Sequence, residues 1–274
     1  MRFPLIESLG CRHLGSGLQL DLLDHRTSLP DSRSTGVAFP VARSTLRNEP
    51  THFHEQRRCP AVSRRVQKVV DKQARIFDAA ATLFAAHGFA TVTTQQISDR
   101  AEIAAGTLFR YASSKGELLL MIYNEDLRAA LALGARQAAA HADPVESIWA
   151  LLEPIAAAAE RSTENTVAYQ RELLFGAPTE KYRAEGLALV EQLEDLIARL
   201  LAGAARERGR TCAHLDAHAR LAGRSIFAVL HLALAQPATG AHPGHDARDD
   251  LRGQTAQIIA GFFATLTAQP EGNP

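Results

Sequence analysis

The chain has 274 residues and a mass of 29.7 kDa, and its 30 Lys and Arg against 30 Asp and Glu give a formal net charge of zero. Taken alone, that balance argues against a strongly basic nucleic-acid binder and against an acidic tail protein. With 46% apolar and 22% charged residues the composition is that of an ordinary globular chain, which excludes global disorder. At this length two domains are expected.

Charge is spread unevenly along the chain. Residues 1–60 carry a net charge of +2, residues 61–115 of +4 and residues 116–274 of −6. A basic block joined to an acidic one is typical of a two-module protein with a polyanion-binding end. No apolar run reaches the roughly 18 residues that span a bilayer, so no membrane partner is predicted. The odd, sparse count of three cysteines fits a reducing compartment, which predicts a cytoplasmic protein.

The first segment differs from the rest in composition. It holds five prolines within 60 residues and shows no sustained helical or strand period. We therefore predict a mostly disordered extension over residues 1–65. From Val66 onward apolar residues recur at three- and four-residue steps, which predicts an amphipathic helix that ends where Gly88 supplies a left-handed cap.

Two short helices are predicted next. Thr93 followed three residues later by Gln96 is a capping-box start for a helix that buries Ile97 and Ala101. Glu102 and Ile103 make the turn, and residues 104–111 form a second helix with its apolar side inward. Two short helices joined so tightly form a helix-turn-helix, in which the second helix enters the major groove.

The remaining chain also favours helices. Asp143 before Pro144 is a helix start, and Gly and Pro residues divide the sequence into segments. The predicted segments are 115–140, 144–161, 165–175, 179–208, 216–235 and 247–267. Strand-like alternation is absent from the sequence, so the predicted fold class is all-α.

Residues 72–122 resemble the DNA-binding domain of the TetR/AcrR family of bacterial transcriptional regulators. The matching positions agree in order and spacing, and they are Ile76, Phe77, Ala80, Leu83, Phe84, Gly88, Phe89, Thr93, Thr94, Ile97, Gly106, Thr107, Leu108, Phe109, Tyr111, Ser114, Lys115, Glu117 and Leu118. The resemblance implies an N-terminal three-helix DNA-binding domain over 66–122, followed by a larger helical ligand-binding and dimerisation domain over 123–270.

The resemblance also implies which residues contact double-stranded operator DNA. Thr94 and Lys115, each at a helix start, would hold phosphates, as a hydroxyl and an ammonium can. Base or backbone contacts are expected from the residues on and around the second short helix and from one glutamine before it, namely Gln95, Ala105, Gly106, Thr107, Phe109, Arg110 and Tyr111.

Departures from the family pattern matter at Glu102, at Phe109 and at Ala112, which stands where the family usually has Phe. Glu102 stands where the family usually has Gly, so a positive φ there would cost on the order of 1 kcal/mol. Phe109 replaces the usual Tyr and removes one phosphate-bonding hydroxyl. The basic stretch Arg64, Arg65, Lys68, Lys72 and Arg75 is either a DNA-contacting arm or a solvated helix end.

In the family the C-terminal half binds a small-molecule effector and forms a homodimer, usually through the last two long helices. Two apolar stripes fit a dimer interface. The alternative is that both stripes pack within the core of the chain itself. One stripe is Leu251, Thr255, Ile258, Ile259, Phe262, Phe263 and Leu266, and the other is Leu221, Ser225, Ile226, Val229 and Leu232. Aromatic and polar residues predicted for an apolar effector's cavity are Trp149, Tyr169, Glu172, Phe175 and His231.

One further constellation is Cys212, His214 and His218, whose spacing can ligate zinc but which lacks a fourth ligand. We predict no metal, no cofactor and no catalytic residue. The preferred function is a sequence-specific repressor released by an effector. The alternatives are a helical-bundle enzyme or metal protein that uses these three residues, and a DNA-binding protein without effector control.

Overall fold

The structure, a computed structural model, describes residues 64–268. These residues lie in one unit of the chain, Arg58–Pro274. The extension predicted over residues 1–65 falls outside the described residues except for its last two, which already belong to the first helix.

Within residues 64–268 the chain forms nine helices and two short strands. In order they are α1 (Arg64–His87), α2 (Thr94–Arg100), α3 (Ala105–Leu108), α4 (Lys115–Ala138), α5 (Pro144–Glu160), α6 (Thr163–Phe175), α7 (Lys181–Glu207), β1 (Arg210–Thr211), α8 (Leu215–Thr239), α9 (Ala247–Ala264) and β2 (Thr267–Ala268). The two strands pair antiparallel, with Arg210 opposite Ala268. The all-α prediction is confirmed, and this strand pair is a local closure between the ends of α7 and α9.

The helix boundaries follow from their capping residues. Gly88 ends α1 with a φ of +77°, which only a residue without a Cβ adopts at no cost. The Asp143 side chain accepts hydrogen bonds from the N–H groups of Val145 and Glu146 at 2.9 and 3.1 Å, and Pro144 opens α5. Both predicted signals are confirmed.

The prediction was wrong at the end of α8. It placed the stop before Pro237, but the helix continues through Pro237 to Thr239 and ends at Gly240, whose φ is +65°. A proline in the last turn removes only one backbone hydrogen bond, so the helix tolerates it there.

Two apolar cores lie along the molecule. The first is built from α1, α2, α3 and the start of α4, and it is completed by Tyr169 and Leu173 of α6 and by Tyr182 and Val190 of α7. The second joins the end of α4 with α5, α7, α8 and α9. Because α4, α6 and α7 contribute to the first core, the helix-turn-helix is packed directly onto the C-terminal helices. The boundary predicted between residues 122 and 123 falls inside α4.

Among the described helices, α8 is long and apolar enough on average to cross a membrane. It nevertheless contains Arg224 and His231, and it packs against α6, α7 and α9 through buried residues that include Ile226 and Leu230. These contacts bury 33% of its most apolar stretch, and Leu221 and Leu232 stay exposed.

The α4–α5 contact generates a first prediction. Gly134 is buried on α4, and a Cβ added there would overlap the backbone carbonyl of Leu151 on α5. Gly134→Ala should lower the free energy of unfolding by about 1–3 kcal/mol, because the two helices must separate to admit the methyl group. Urea denaturation measures the change.

Gly203 on α7 provides the matched control, because nothing lies within 4 Å of a Cβ added to it. Gly203→Ala should raise the free energy of unfolding by about 0.5–1 kcal/mol through helix propensity alone. Equal effects at the two positions would contradict the close helix approach.

Candidate DNA interface and effector cavity

The helix-turn-helix is fixed at its start by the predicted capping box. The Thr93 hydroxyl accepts from the Gln96 N–H at 3.2 Å, and the Gln96 side-chain oxygen accepts from the Thr93 N–H at 2.8 Å. Ile97 of α2, Ala101 directly after it and Leu108 of α3 are buried in the first core, as predicted. This packing leaves the opposite sides of α2 and α3 in solvent.

The turn between α2 and α3 carries the strain expected from the sequence. Glu102 has a φ of +53°, the left-handed region where a side chain is unfavourable. Its N–H donates to the Asp99 carbonyl at 3.1 Å, and the next N–H, of Ile103, donates to the Ser98 carbonyl at 3.0 Å. The Glu102 carboxylate is exposed and lies 3.8 Å from the Arg75 guanidinium. The turn is therefore made by backbone hydrogen bonds, and Glu102 contributes charge at the predicted DNA face.

Helix α3 is shorter than predicted. The sequence indicated residues 104–111, whereas the helix spans Ala105–Leu108. After it the N–H groups of Arg110 and Tyr111 donate three residues back, to Thr107 and Leu108. The chain tightens there because it must leave the helix in time for Ser114 to cap α4, where the Ser114 hydroxyl accepts from the Glu117 N–H at 2.9 Å.

The residues predicted to read DNA are accessible on this face. Gly106, Phe109 and Arg110 are exposed, and Thr94, Ala105, Thr107 and Tyr111 are partly exposed. Nothing lies within 4 Å of a Cβ added to Gly106, so this end of α3 is open to close approach. Gln95 is exposed and its amide donates to the Asp99 carboxylate at 2.7 Å. Their DNA contacts stay predictions.

Lys115 is placed differently from the phosphate ligand that the resemblance implied. Its ammonium donates to the carbonyls of Phe89, Ala90 and Val92 at 2.8, 3.3 and 3.0 Å, and it lies 4.4 Å from the centre of the Phe89 ring. A lysine ammonium has three protons, and all three are used. Lys115 therefore holds the α1–α2 loop, and a phosphate contact by this side chain stays a prediction.

In the basic stretch before and within α1, Lys68 and Lys72 are exposed and Arg75 lies beside Glu102. The side chains of Arg64 and Arg65 lie outside the described residues. The alternatives of a DNA-contacting arm and a solvated helix end both stay open.

A cavity of about 80 Å³ lies between α4, α5, α6, α7 and α8. Its wall is mostly apolar, with Tyr123, Asp126, Thr166, Tyr169, Gln170 and His231 as the polar members. Burial raises the pKa of Asp126, an effect that Arg161 opposes from 2.8 Å. Burial lowers the pKa of His231, which keeps its imidazole neutral at neutral pH. The cavity is thus an apolar chamber with a few uncharged hydrogen-bonding groups and one ion pair at its edge.

Two of the five residues predicted for this cavity line it, namely Tyr169 and His231. The placement of the other three was wrong. The Trp149 ring lies 5.3 Å from the guanidinium of Arg252, which pairs with Glu146 and so joins α5 to α9. Glu172 packs on Gly116 at the start of α4, and Phe175 is 82% exposed at the end of α6.

Sequence reasoning missed Tyr123, Asp126 and Gln170. Gln170 donates to the backbone carbonyl of His231 at 2.8 Å and so joins α6 to α8 across the cavity wall. A polar residue that lies within an apolar helical stripe is the signal that could have singled it out.

Cys212, His214 and His218 do not form a common site. Cys212 is partly buried against the second core, whereas His214 has a φ of +68° and both histidines are exposed. No group of three or more His, Cys, Asp or Glu in the described part of the chain could hold a metal ion.

The α9 stripe proposed as a dimer surface is largely intrachain core. Leu251, Thr255, Ile259, Phe262 and Leu266 are buried within the chain itself, as is Ile226 of the α8 stripe. The large apolar residues left exposed on α8 are Leu221 and Leu232, at 64% and 65%. The core alternative therefore holds for most of these residues.

Comparison with known proteins gives the origin of this architecture. A family described as "Bacterial regulatory proteins, tetR family" matches residues 76–122, the part of the chain that contains the capping box, the turn and α3. Over these residues the chain is similar to the TetR family. The match ends within α4, so it covers the helix-turn-helix and not the cavity.

Curated proteins match a longer stretch of this chain. The HTH-type transcriptional repressor KstR of Mycobacterium tuberculosis is 29% identical over 134 residues, which are 49% of this chain and 58% of that protein. KstR of Rhodococcus jostii is 29% identical over the same length, with 49% and 59% covered. The chain thus spans less than two thirds of the length of these relatives.

Solved structures share the fold over most of the described residues. Thermus thermophilus FadR, a TetR-family repressor crystallised with lauroyl-CoA, aligns with a TM-score of 0.55 at 26% identity and covers 74% of this chain and 98% of its own. FadR from Bacillus halodurans aligns with a TM-score of 0.52 at 21% identity, covering 69% and 95%.

Lys115 yields a prediction about its role in holding the α1–α2 loop. Lys115→Ala should lower the free energy of unfolding by about 1.5–3 kcal/mol, because the partly buried carbonyls of Phe89 and Val92 and the exposed carbonyl of Ala90 lose a charged donor. Thermal denaturation followed by circular dichroism measures it. Lys72→Ala removes an exposed charge and should change stability by less than about 0.5 kcal/mol. A stable Lys115→Ala variant would show that the ammonium does not hold the loop.

Glu102 yields a second prediction. Glu102→Gly should raise the free energy of unfolding by about 1 kcal/mol because Gly adopts the positive φ without strain. Glu102→Ala keeps the strain and removes only the charge, so its stability should stay near that of the natural chain, since the exposed pair with Arg75 is worth little. Urea denaturation of both variants distinguishes backbone strain from charge.

Proposed function

We propose that this chain is a homodimeric transcriptional repressor that binds operator DNA through α2 and α3 and is released by a small apolar effector. The observation that carries the proposal is the presence, in one chain, of an open α3 surface and an apolar cavity connected by shared helices. The KstR relatives are named as transcriptional repressors, which supports the direction of regulation.

The proposed DNA contacts are arranged by function. The small residues Ala105 and Gly106 let the backbone of α3 approach base edges, while Thr107 contacts a base directly. Thr94, Arg110 and Tyr111 contact phosphates beside it, and Gln95 and Phe109 lie at the edges of the same surface. Since DNA of a bacterial regulator is in the cytoplasm, we place the protein there.

The proposed effector carries an acyl chain or a similar apolar body. The largely apolar cavity wall favours such a group. T. thermophilus FadR, which has this fold and is 26% identical, is crystallised with lauroyl-CoA, a compound that carries an acyl chain. At about 80 Å³ the cavity is smaller than the roughly 300–1,000 Å³ of ligand pockets, so the effector must separate the surrounding helices. A ligand that fits only the widened form shifts the protein toward that form.

Dimerisation is proposed through the exposed faces of α8 and α9. Leu221 and Leu232 present apolar surface on α8, and Gly253 and Gly261 of α9 have no atom within 4 Å of an added Cβ. Small residues beside exposed leucines let two helix pairs approach across a two-fold axis and form a four-helix interface.

The test is an operator-binding titration by fluorescence anisotropy with DNA from upstream of the protein's own gene. The natural chain should prefer this DNA to a scrambled duplex, and Thr107→Ala should lose about 1–3 kcal/mol of that preference because a base contact disappears. Its affinity for the scrambled duplex should be unchanged, which makes that duplex the internal control. Equal binding of both duplexes by the natural chain at low salt would overturn the DNA-binding proposal.

The effector class is tested in the same titration with lauroyl-CoA and, as the matched control, coenzyme A without an acyl chain. Lauroyl-CoA should weaken operator binding about 5–150-fold, the usual range for allosteric coupling, and free coenzyme A should not. The acyl proposal is wrong if both compounds, or neither, change the affinity.

A further inference from the structure

Helix α6 contacts both the cavity and the DNA-binding helices. Thr166, Tyr169, Gln170 and Leu173 line the cavity from the middle of this helix. One turn earlier, Glu164 and Asn165 lie in its first turn and contact the loop between α1 and α2. Movement of the cavity wall and movement of this loop are therefore carried by the same short helix.

Asn165 makes the central contact. Its side-chain oxygen accepts from the Phe89 N–H at 2.7 Å, and its amide donates to the Phe84 carbonyl at 2.9 Å. The residue is 1% exposed, and its two bonds satisfy backbone groups on either side of the Gly88 cap. The Phe84 carbonyl also accepts from the Gly88 N–H at 3.0 Å, so the end of α1 keeps a bond without Asn165. The partly buried Phe89 N–H is held by Asn165, and because such a group is costly to leave without a partner, the loop after Gly88 depends on this side chain.

Glu164 extends the contact by one residue. Its carboxylate accepts from the Ala90 N–H at 2.9 Å and lies directly over Gly88, where a Cβ would overlap it. Successive N–H groups of the loop, at Phe89 and Ala90, are thus bound by successive side chains of α6. The carbonyls of the same two residues are bound by Lys115 from the start of α4.

The cavity wall adjoins Asn165 along α6. Thr166, the next residue of this helix, lines the cavity, and Tyr169, also on the cavity wall, follows Asn165 by one helical turn on the same face of α6. A ligand that displaces Thr166 or Tyr169 therefore moves the helix whose first turn is bonded to the loop.

We propose that Asn165, assisted by Glu164, is the positioning residue that couples the cavity to the orientation of α2 and α3. The inference rests on the proposed function and adds to it the site of transmission. When α6 moves with the cavity wall, the backbone at Phe89 and Ala90 moves with it, and the capping box at Thr93 begins only three residues later.

The experiment uses operator DNA as the probe and requires no effector. Amide hydrogen exchange is measured over residues 166–173 of the full chain, with and without operator, because linkage makes DNA binding act on the cavity helix as the effector acts on DNA binding. The quantity compared is the ratio of the exchange rate without operator to the rate with operator. This ratio should be about 5–150 in the natural chain and should fall below about three in Asn165→Ala. A general change in stability alters both exchange rates alike, so it largely cancels in the ratio.

Ser147→Ala is the matched control. Ser147 is a buried residue whose hydroxyl donates to the Ala138 carbonyl at 3.0 Å, within α4 and α5 and away from the loop. This variant should keep the ratio of the natural chain. Glu164→Ala removes an exposed side chain, so it retains the fold even where Asn165→Ala does not, and its ratio should be intermediate.

The outcomes separate the two proposals. Absence of specific operator binding by the natural chain overturns the proposed function and this inference with it. Operator binding without any change in α6 exchange overturns the inference alone. An unchanged ratio in both Asn165→Ala and Glu164→Ala, or an equal loss in Ser147→Ala, also overturns it.

Discussion

The α1–α2 loop is the constraint on which the DNA-binding face depends. The six residues 88–93 between α1 and α2 cannot satisfy all of their own backbone groups, so these groups need partners from elsewhere in the chain. Lys115 supplies three donors to its carbonyls, and Glu164 and Asn165 accept two of its N–H groups. The loop therefore has its conformation only when α4 and α6 are both in place, and the start of α2 follows from that conformation.

This arrangement reduces the positive charge that the basic block offers to DNA within a chain of zero net charge. The described basic block around α1–α3 contains Lys115, whose charge is directed into the protein, and Arg75, which lies beside Glu102. Fewer cations are thus free for phosphates than the block's net charge suggests. Nonspecific attraction to DNA scales with the phosphates neutralised, so under the proposed function the selectivity for an operator comes mainly from the short-range contacts proposed for α3.

The sequence predicted where helices begin and end better than it predicted which side chains line the cavity. Thr93 with Gln96, Asp143 with Pro144, and Gly88 act on backbone groups within four residues, so their patterns predicted the helix starts and stops. Trp149, Glu172 and Phe175 were chosen by residue type, but whether an aromatic residue faces a cavity depends on which helix packs opposite. Tyr169 and His231 line the cavity because their helices, α6 and α8, face each other across it. The α9 stripe was predicted correctly as a stripe, yet periodicity does not say whether its partner is the same chain or a second copy.

Trp149 is the one tryptophan of the chain, and its location decides what intrinsic fluorescence can report. The indole lies between α5 and α9, beside Arg248 and Arg252, which pair with Glu153 and Glu146. Its emission is therefore sensitive to the separation of these two helices, and occupancy of the cavity changes it only indirectly. An optical signal for the cavity itself has to come from the stacked rings of Tyr123 and Tyr169, whose centres lie 5.6 Å apart.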